Sequence, residues 1–445
     1  METREAQCTK LYTFEALSSL EATACERTRE LVVHAQELRI FSATLSGAPG
    51  VRVRAVSRDA RRQWLRVRLT APLPRGARFT LRFWYGGRLH ENGDFQGLGA
   101  FVDGYTHEGR RRYTVATQLQ REYARTVLPC LDNPEYKASF QVSVIHPVNT
   151  VALNNMPPLM TEPIGMSTYL LAMVVGDLRK AQSATLSNGV DVSVYAIAGL
   201  EAYAGDSLRT TVASLEHFAR AFSLNYTLPK LDMVMTPGKR GAMENWGLIT
   251  HGPSFLAVEP QLQSSSDVRV TRRLVAHEIA HNWFGNWATT TRWWDDLWLN
   301  EGFATFLSAA GVRAAVPSLK RTSDHVPATV KDWCGRRLDV ADFMNPWLLQ
   351  ASFPIVKVTK LTSGLFLVTQ EPVRRSETMP ASPYNYSWPV PIRYKTNAGR
   401  FSEFVSIQAC RFDVADCIEH FGRVSEVRAL EPCRHSQNGT VSCVR

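Results

Sequence analysis

Apolar and polar residues alternate over much of the first 178 residues of the chain. Residues 64–69 read WLRVRL, so that arginines and aliphatic residues take alternate positions. A period of two is typical of a strand that has one face in the core and one in water. The segment DVSVY at 191–195 repeats the pattern further along. We therefore predict antiparallel strands over residues 1–178, with arginines on their solvent faces, and more strands after them.

The hydrophobic period changes near residue 265. Leu274, Val275 and Ile279 recur at roughly helical spacing, and neither proline nor glycine interrupts the segment before Gly285. Asp267 and the serines before it are residue types that cap helix N-termini, because their side-chain oxygens accept hydrogen bonds from unpaired backbone N–H groups. The sequence thus predicts a helix that begins near Asp267 and runs past Ile279.

A second helix is predicted to begin at Asp295 or Asp296. Both aspartates precede a segment rich in leucine and phenylalanine, and aspartate is a common helix N-cap. The expected buried stripe of this helix consists of Leu299, Phe303, Phe306 and Leu307. Glu301 then lies on the same helix.

A candidate metal centre for peptide hydrolysis lies on these two helices. The first carries H-E-x-x-H, in which His277 and His281 lie on one helical face and can reach one ion. Glu301 supplies a third ligand, which together with one open position fits a catalytic zinc site. Glu278 stands beside them and could take a proton from a water molecule that the zinc activates. A chance match of so short a motif is the alternative.

Several motifs together resemble the gluzincin zinc aminopeptidases, the family of aminopeptidase N. The run GAMENWG at 241–247 resembles the G-x-M-E-N exopeptidase signature of that family. Further matching segments are AR at 124–125, PCLD at 129–132, YLLA at 169–172, WFGN at 283–286 and WWDDLWLNEGFA at 293–304. The likeness extends from about residue 12 to about residue 392. It implies an aminopeptidase that binds one zinc ion per chain and hydrolyses peptides with a free N-terminus.

The resemblance also implies a set of substrate contacts. These are Gln120, Gly241, Ala242, Met243, Glu244 and Asn245. Glu244, with Gln120 and Glu301, would hold the α-ammonium group of the peptide, since a buried cation needs negatively charged partners. The backbone at the start of the GAMEN run would align the peptide as an added strand. Without the family pattern, Glu244 would be interpreted as a solvated loop charge and Gln120 as a surface residue on a strand.

The connection between the second histidine and the distal glutamate is longer than in the family. Asn300, not Glu301, occupies the position that the family spacing assigns to the third ligand. Asparagine is a poor zinc ligand compared with a carboxylate, and a loop accommodates an extra residue at little cost. We therefore predict Glu301 as the ligand and a bulge in the loop at 286–292.

The family tyrosine that donates a hydrogen bond to the oxyanion has no counterpart here. No tyrosine occurs between Glu301 and Pro383, and the run FMNPWLLQ at 343–350 already resembles the end of the family's catalytic domain. Loss of one oxyanion donor typically lowers turnover about 10²- to 10³-fold. Two hypotheses follow. One is a zinc aminopeptidase that removes neutral first residues, and the other is a catalytically silent zinc- or peptide-binding relative, or an incomplete gene product.

The predicted fold class is an α+β multidomain chain. We predict an N-terminal β-sheet domain at 1–178, a thermolysin-like zinc catalytic domain with an internal deletion at 179–350, a partial β-sandwich at 351–409 and an unassigned tail at 410–445. The family likeness also predicts that the chain is truncated at the N-terminus, internally and at the C-terminus.

Charge and composition change this picture little. The net charge is +10, but without a recognisable module or clustered aromatic residues we predict no nucleic-acid partner. Of the eight cysteines, four lie in the tail at 410, 417, 433 and 443; they could form two disulfide bridges or bind a metal, but their spacing matches no zinc finger or ribbon. The family likeness implies a plasma-membrane or extracellular location. The cytoplasm is the alternative, because the sequence shows neither a signal peptide nor an apolar run of about 20 residues. A monomer is the default, and the same likeness leaves a homodimer as the alternative.

Overall fold

In the computed structural model, the described residues are 12–91, 98–156, 164–259, 263–290, 294, 296–318, 345–347, 350, 352–362, 365–373, 381–396, 399–406, 434–435 and 441–442. The chain divides into two units, Met1–Arg321 and Thr322–Arg445. The predicted metal centre and the predicted substrate contacts all lie in the first unit. The predicted domain boundaries stay predictions.

The first six strands form two three-stranded antiparallel sheets. They are β1 (Thr13–Thr23), β2 (Thr28–His34), β3 (Arg39–Ser46), β4 (Val53–Asp59), β5 (Trp64–Leu73) and β6 (Arg78–Arg88). One sheet has the order β1-β6-β3 and the other β2-β5-β4. Leu65 and Val67 are buried in a core that both sheets share. Arg66 and Arg68 lie on the opposite face, where both contact Glu30, and this confirms the predicted alternation.

A five-stranded sheet follows, with the strand order β10-β11-β9-β8-β7. Its strands are β7 (His90–Glu91), β8 (Gly99–His107), β9 (Arg110–Gln118), β10 (Val151–Asn154) and β11 (Met173–Gly176). Gln120 therefore lies just beyond the end of β9 and not on a strand.

The third sheet and three helices carry the predicted metal centre. The sheet has the order β12-β13-β14-β16-β15. Its strands are β12 (Leu178–Thr185), β13 (Asp191–Ile197), β14 (Lys230–Met235), β15 (Ala242–Met243) and β16 (Leu248–His251). The helices are α1 (Gly205–Phe222), α2 (Ser265–His281) and α3 (Leu297–Ala315). Val194 and Met233 of the sheet share one hydrophobic core with Leu215 and Ile279 of the helices. This arrangement confirms the α+β class.

Helix α2 begins where the serines and the aspartate predict. Ser264 Oγ accepts a hydrogen bond from the backbone N–H of Asp267 at 3.2 Å and donates one to the Asp267 carboxylate at 2.7 Å. This cap satisfies one of the unpaired donors of the first turn and so favours helix initiation. Val275 and Ile279 are fully buried, as their spacing predicts.

Helix α3 confirms the second predicted helix but not its predicted stripe. Phe303 and Phe306 are 43% and 58% exposed, so the expectation that they are buried is wrong. The buried residues are Asn300, Ala304, Ser308, Gly311 and Val312. A Cβ at Gly311 would lie 2.7 Å from Ser214 Oγ on α1 and 2.9 Å from Ala276 Cβ on α2. The three helices approach too closely for large side chains, and small residues therefore form the contact face.

A buried ion pair links the segment after β9 to the first sheets. Arg125 Nε donates to Asp132 Oδ2 at 2.9 Å, and the two side chains are 6% and 1% exposed. Arg125 Nη1 also donates to Gln63 Oε1 at 2.7 Å, and the backbone N–H of Asp132 donates to His34 Nδ1 at 3.1 Å. Each charged group in this pair depends on the other, because a buried charge without a partner is strongly unfavourable.

Replacement of Asp132 by alanine is expected to lower the free energy of unfolding by about 3 kcal/mol, since it leaves the Arg125 guanidinium buried without its carboxylate. Urea denaturation followed by tryptophan fluorescence measures the change. Glu216→Ala removes one half of an exposed pair with Arg220 and should shift the midpoint little. Similar shifts for the two variants would contradict this account.

The second unit contains paired strands. They are β17 (Pro354–Thr362), β18 (Leu365–Pro372), β19 (Pro389–Thr396), β20 (Gly399–Ser406), β21 (Arg434–His435) and β22 (Val441–Ser442). Each consecutive pair is antiparallel. Most of the predicted tail at 410–445 lies outside the described residues. Among the helices described in either unit, none has the length and apolar character that a membrane span needs.

Candidate active site

Three side chains from α2 and α3 converge on one point. His277 Nε2 and His281 Nε2 are 3.0 Å apart. Glu301 Oε2 lies 3.2 Å from His277 Nε2 and 3.7 Å from His281 Nε2. Ligands bound at about 2.0–2.1 Å to a tetrahedral zinc ion lie about 3.3 Å from one another. The spacing of these three atoms therefore fits a zinc ion.

The second nitrogen of each ring has its own partner. His281 Nδ1 lies 3.1 Å from the carbonyl oxygen of Phe284, and His277 Nδ1 lies 3.4 Å from Thr305 Oγ1. A carbonyl oxygen only accepts hydrogen bonds, so Nδ1 of His281 carries a proton. In the neutral ring, Nε2 then offers its lone pair to the site, which is the orientation that a metal-binding histidine needs.

Glu301, not Asn300, reaches the two histidines. Both residues lie near the start of α3. Asn300 is buried, and its Nδ2 lies 3.3 Å from the place where Gly285 would carry a Cβ. The geometry thus supports Glu301 as the third ligand. The predicted bulge at 286–292 includes residues 291–292, which lie outside the described residues.

Two buried carboxylates lie beside His281. One candidate ligand atom each from Glu244, Glu278 and His281 lies within 4.8 Å of the others. Both glutamates are 4% exposed. Among the described residues, Glu244 Oε1 and Glu278 Oε2 have no hydrogen-bond partner. Since a buried carboxylate oxygen without a partner is unfavourable, both are placed to receive a cation or a proton.

The carboxyl groups of Glu244, Glu278 and Glu301 all lie close to His281. Burial raises the pKa of Glu278 to about 8, and the Glu244 carboxylate adds to the increase. Burial lowers the pKa of His281, but the surrounding carboxylates, Glu244 first, outweigh it and raise this pKa to about 10. Hydrogen bonds from His277 and His281 hold the pKa of Glu301 well below its usual range. A bound divalent cation would favour the deprotonated carboxylates and the neutral ring of His281.

The GAMEN run lies at the end of the third sheet. In β15, Ala242 and Met243 pair antiparallel with His251 and Thr250 of β16. Among the described strands, β15 ends the order of the sheet. A Cβ built on Gly241 meets nothing within 4 Å. No described strand pairs with the other edge of β15, which is where the predicted alignment of a peptide would add one.

Met243 and Asn245 are buried and hold this run in place. Met243 is 2% exposed, and Asn245 Nδ2 donates to the carbonyl oxygen of Leu170 at 3.3 Å. Asn286 Nδ2 donates to the carbonyl oxygen of Glu244 at 2.9 Å. These contacts position the Glu244 carboxylate beside His281. Direct substrate contacts by Met243 and Asn245 stay predictions.

The sequence prediction missed a lysine in this region. Lys239 Nζ donates to Gln118 Oε1 at 2.5 Å. The carboxylates of Glu278 and Glu244 act electrostatically on the lysine amine, so the lysine belongs to the same site. Its place shortly before the GAMEN run was the only signal for it in the sequence. Gln120 lies two residues after β9 and is partly exposed, and its role stays a prediction.

Tyr169 is a buried tyrosine close to this site. Its hydroxyl donates to the carbonyl oxygen of Gly285 at 3.3 Å, and its ring packs on Trp294. Burial, followed by the charges of Glu244 and Glu301, raises the pKa of Tyr169 well above its usual value. Because its one proton is bonded to a carbonyl oxygen, Tyr169 does not supply the oxyanion donor of the family pattern.

Comparison with known proteins gives two domain matches. Residues 6–170 match the Peptidase M1 N-terminal domain and residues 206–346 match the Peptidase family M1 domain. The chain is 36% identical over 327 residues to endoplasmic reticulum aminopeptidase 1 of Homo sapiens. It is 33% identical over 335 residues to aminopeptidase N of Mus musculus. Both alignments cover 69% of this chain and 34% of the relative.

A third relative matches the chain with similar identity and coverage. The chain is 33% identical over 335 residues to puromycin-sensitive aminopeptidase of Caenorhabditis elegans, across 71% of this chain and 35% of that protein. The chain thus spans about a third of the length of the curated relatives that it matches. The two domain matches include the β-sheet domain and the helices that carry the histidines and the distal glutamate. The chain therefore belongs to peptidase family M1, the gluzincin aminopeptidases.

Proposed function

We propose that the chain is a zinc-dependent aminopeptidase, which hydrolyses the first peptide bond of peptides with a free N-terminus. The observation that carries the proposal is the cluster of His277, His281 and Glu301 at ligand distances. The buried carboxylates of Glu244 and Glu278 beside it supply an anchor for the α-ammonium group and a general base. The named activity of the relatives supports the same reaction class.

Glu278 is the general base of the proposed reaction. When bound, a zinc ion polarises the scissile carbonyl group and lowers the pKa of a water molecule to about 7. Glu278 accepts the proton of the attacking water and passes it to the leaving amine. Its Oε2 atom is buried and has no partner among the described residues, so this oxygen is open to that proton.

Glu244 makes the proposed enzyme an exopeptidase. Its carboxylate accepts hydrogen bonds from the α-ammonium group of the peptide, and the open edge of β15 aligns the peptide backbone. The anchor fixes the distance between the peptide's N-terminus and the site of attack. Only the first peptide bond then reaches the water that Glu278 deprotonates.

Replacement of Glu244 by glutamine is expected to raise KM for leucyl and alanyl amides by at least about tenfold, because the buried ammonium group loses its charged partner. Zinc content should stay the same, since Glu244 is not one of the three proposed ligands. Steady-state kinetics and metal analysis measure both quantities. An unchanged KM would argue against Glu244 as the anchor.

A catalytically silent relative is the second candidate function. It is favoured by the absence of any tyrosine between Glu301 and Pro383, together with the bonded hydroxyl of Tyr169. Such a chain would bind zinc or peptide without turnover. The compartment and the oligomeric state stay predictions.

The proposed function is tested on the purified full chain. Metal analysis should give one zinc ion per chain, and leucyl and alanyl amides should be hydrolysed. The N-acetylated amides should resist hydrolysis, because acetylation removes the ammonium group. If the chain binds zinc but hydrolyses no free-amine substrate, only the silent relative remains as a candidate function. A chain that binds neither zinc nor peptide would contradict both candidates.

A further inference from the structure

Lys239 lies in a part of the site that the proposed chemistry does not use. Its Nζ donates to Gln118 Oε1 at 2.5 Å. The loop that carries it, between β14 and β15, packs closely on Gly252. A Cβ at Gly252 would come within 2.1 Å of the Lys239 carbonyl oxygen. Because only glycine permits this approach, the backbone of Lys239 is held against the end of β16.

The Lys239 amine lies near the carboxyl groups of Glu244 and Glu278, but it donates to neither of their unpartnered oxygens. Burial lowers the pKa of Lys239 to about 8, while the Glu278 and Glu244 carboxylates oppose the decrease, so the group is charged at neutral pH. Within the described residues, Glu244 Oε1 and Glu278 Oε2 receive no hydrogen bond. A lysine ammonium group has three donors, and Gln118 accepts one. The others can serve a further acceptor.

The side chain of His251 lies near Lys239. It is fully buried, and in the described part of the chain neither ring nitrogen has a hydrogen-bond partner. Burial lowers the pKa of His251 to about 3, and the Lys239 cation adds to the decrease. The ring is therefore neutral and keeps one N–H donor. A buried donor without an acceptor is unfavourable, so an anion that reaches this ring would relieve the deficit.

We infer that Lys239, with His251 near it, binds the carboxylate side chain of the substrate's first residue, so that the chain prefers peptides that begin with glutamate or aspartate. The inference rests on the proposed function, in which Glu244 anchors the α-ammonium group. The first side chain leaves the same carbon atom as that ammonium group, and in the proposed binding mode it extends toward Lys239 and Gln118. The preference differs from the neutral first residues that the sequence predicted.

Charge balance favours an acidic first side chain over a neutral one. A fixed lysine cation close to the Glu244 anchor repels the ammonium group of every peptide. A carboxylate side chain cancels this repulsion and forms a charge-assisted hydrogen bond with the lysine. An arginine or lysine at the first position adds another positive charge and should bind worst.

The test is the binding of hexapeptides that differ only in their first residue. Binding is measured on the zinc-loaded full chain with Glu278→Gln, which should not hydrolyse them. Glutamate and glutamine form the decisive pair, because they differ in charge and hardly in shape. The glutamate peptide should bind about tenfold more tightly, as expected for one hydrogen bond between charged groups.

Two further variants, each made together with Glu278→Gln, assign that preference. With Lys239→Met, the ratio of the affinities for the glutamate and glutamine peptides should fall to about one, since the charged donor is gone. With Arg240→Met, which changes an exposed neighbouring cation, the ratio should remain. A ratio that survives Lys239→Met overturns the inference. An equal loss of affinity for both peptides also overturns it, because Lys239 would then only balance the charge of the buried carboxylates.

The inference and the proposed function fail in different ways. If the glutamate peptide binds more tightly but the unaltered chain hydrolyses no glutamyl, alanyl or leucyl amide, the proposed function is wrong and the inference stands. If the chain hydrolyses these amides without discriminating glutamate from glutamine, the function stands and the inference is overturned. If no peptide binds at all, both are overturned.

Discussion

Replacement of Glu278 by glutamine is expected to lower kcat on alanyl and leucyl amides by about 10²- to 10⁴-fold, the usual contribution of a general base. Glutamine keeps the size of the side chain but cannot accept a proton from water. The carboxylate lies beside His281, and Glu278 is 4% exposed. Bulk water therefore has little access to accept the proton in its place. Zinc content should remain at one ion per chain, because Glu278 is not one of the three proposed ligands.

Stopped assays on the purified variant, together with metal analysis, measure both parts of this expectation. Glu216→Gln is a suitable control, because Glu216 lies on α1 and its partner Arg220 is exposed. The control should keep full activity and full zinc content. If Glu278→Gln retains its activity, Glu278 is not the general base. Loss of zinc in the same variant would show that it acts as a ligand instead.

Replacement of Glu301 by glutamine is expected to lower the affinity for zinc by at least about a hundredfold, because loss of a residue that only hydrogen-bonds to a metal ligand already costs about 10- to 100-fold. The carboxylate is the one negatively charged member of the ligand set, and its Oε2 atom lies 3.2 Å from His277 Nε2. Turnover should fall with the zinc content. Competition with a chelator of known affinity measures the change.

Asn300→Ala distinguishes the two candidates for the third ligand. Asn300 occupies the position that the family spacing assigns to the ligand, yet its amide lies near Gly285. We expect this variant to keep one zinc ion per chain at an affinity close to that of the unaltered chain. Its thermal midpoint should be recorded, since Asn300 is buried. Loss of zinc from a folded Asn300→Ala variant, with retention in Glu301→Gln, would reverse the assignment.

Local sequence was sufficient for the elements that carry the candidate metal centre. Asp267, the serines before it and the spacing of Val275 and Ile279 predicted α2, and a helix places His277 and His281 on one face whatever surrounds it. Strand alternation at 64–69 was equally local. These features depend on residues a few positions apart, so the printed sequence contains all that is needed to predict them.

Packing between helices was beyond the reach of the same reasoning. Phe303 and Phe306 have the spacing of a buried stripe, yet they lie at the exposed side of α3. The helix turns its small residues inward, because Gly311 lies against Ser214 and Ala276. Periodicity shows that a helix has an apolar side, but the distance between neighbouring helices decides which side chains fit.

The sequence by itself determined the strands of the first sheets, the two helices and the pair of histidines, since each follows from local spacing. Only the tertiary structure decided that Glu301 reaches those histidines and that Lys239 meets Gln118, which is 121 positions away. It also decided which carboxylates are buried and therefore which pKa values are shifted. Burial and contacts between distant segments depend on how the whole chain packs, and no local pattern contains that information.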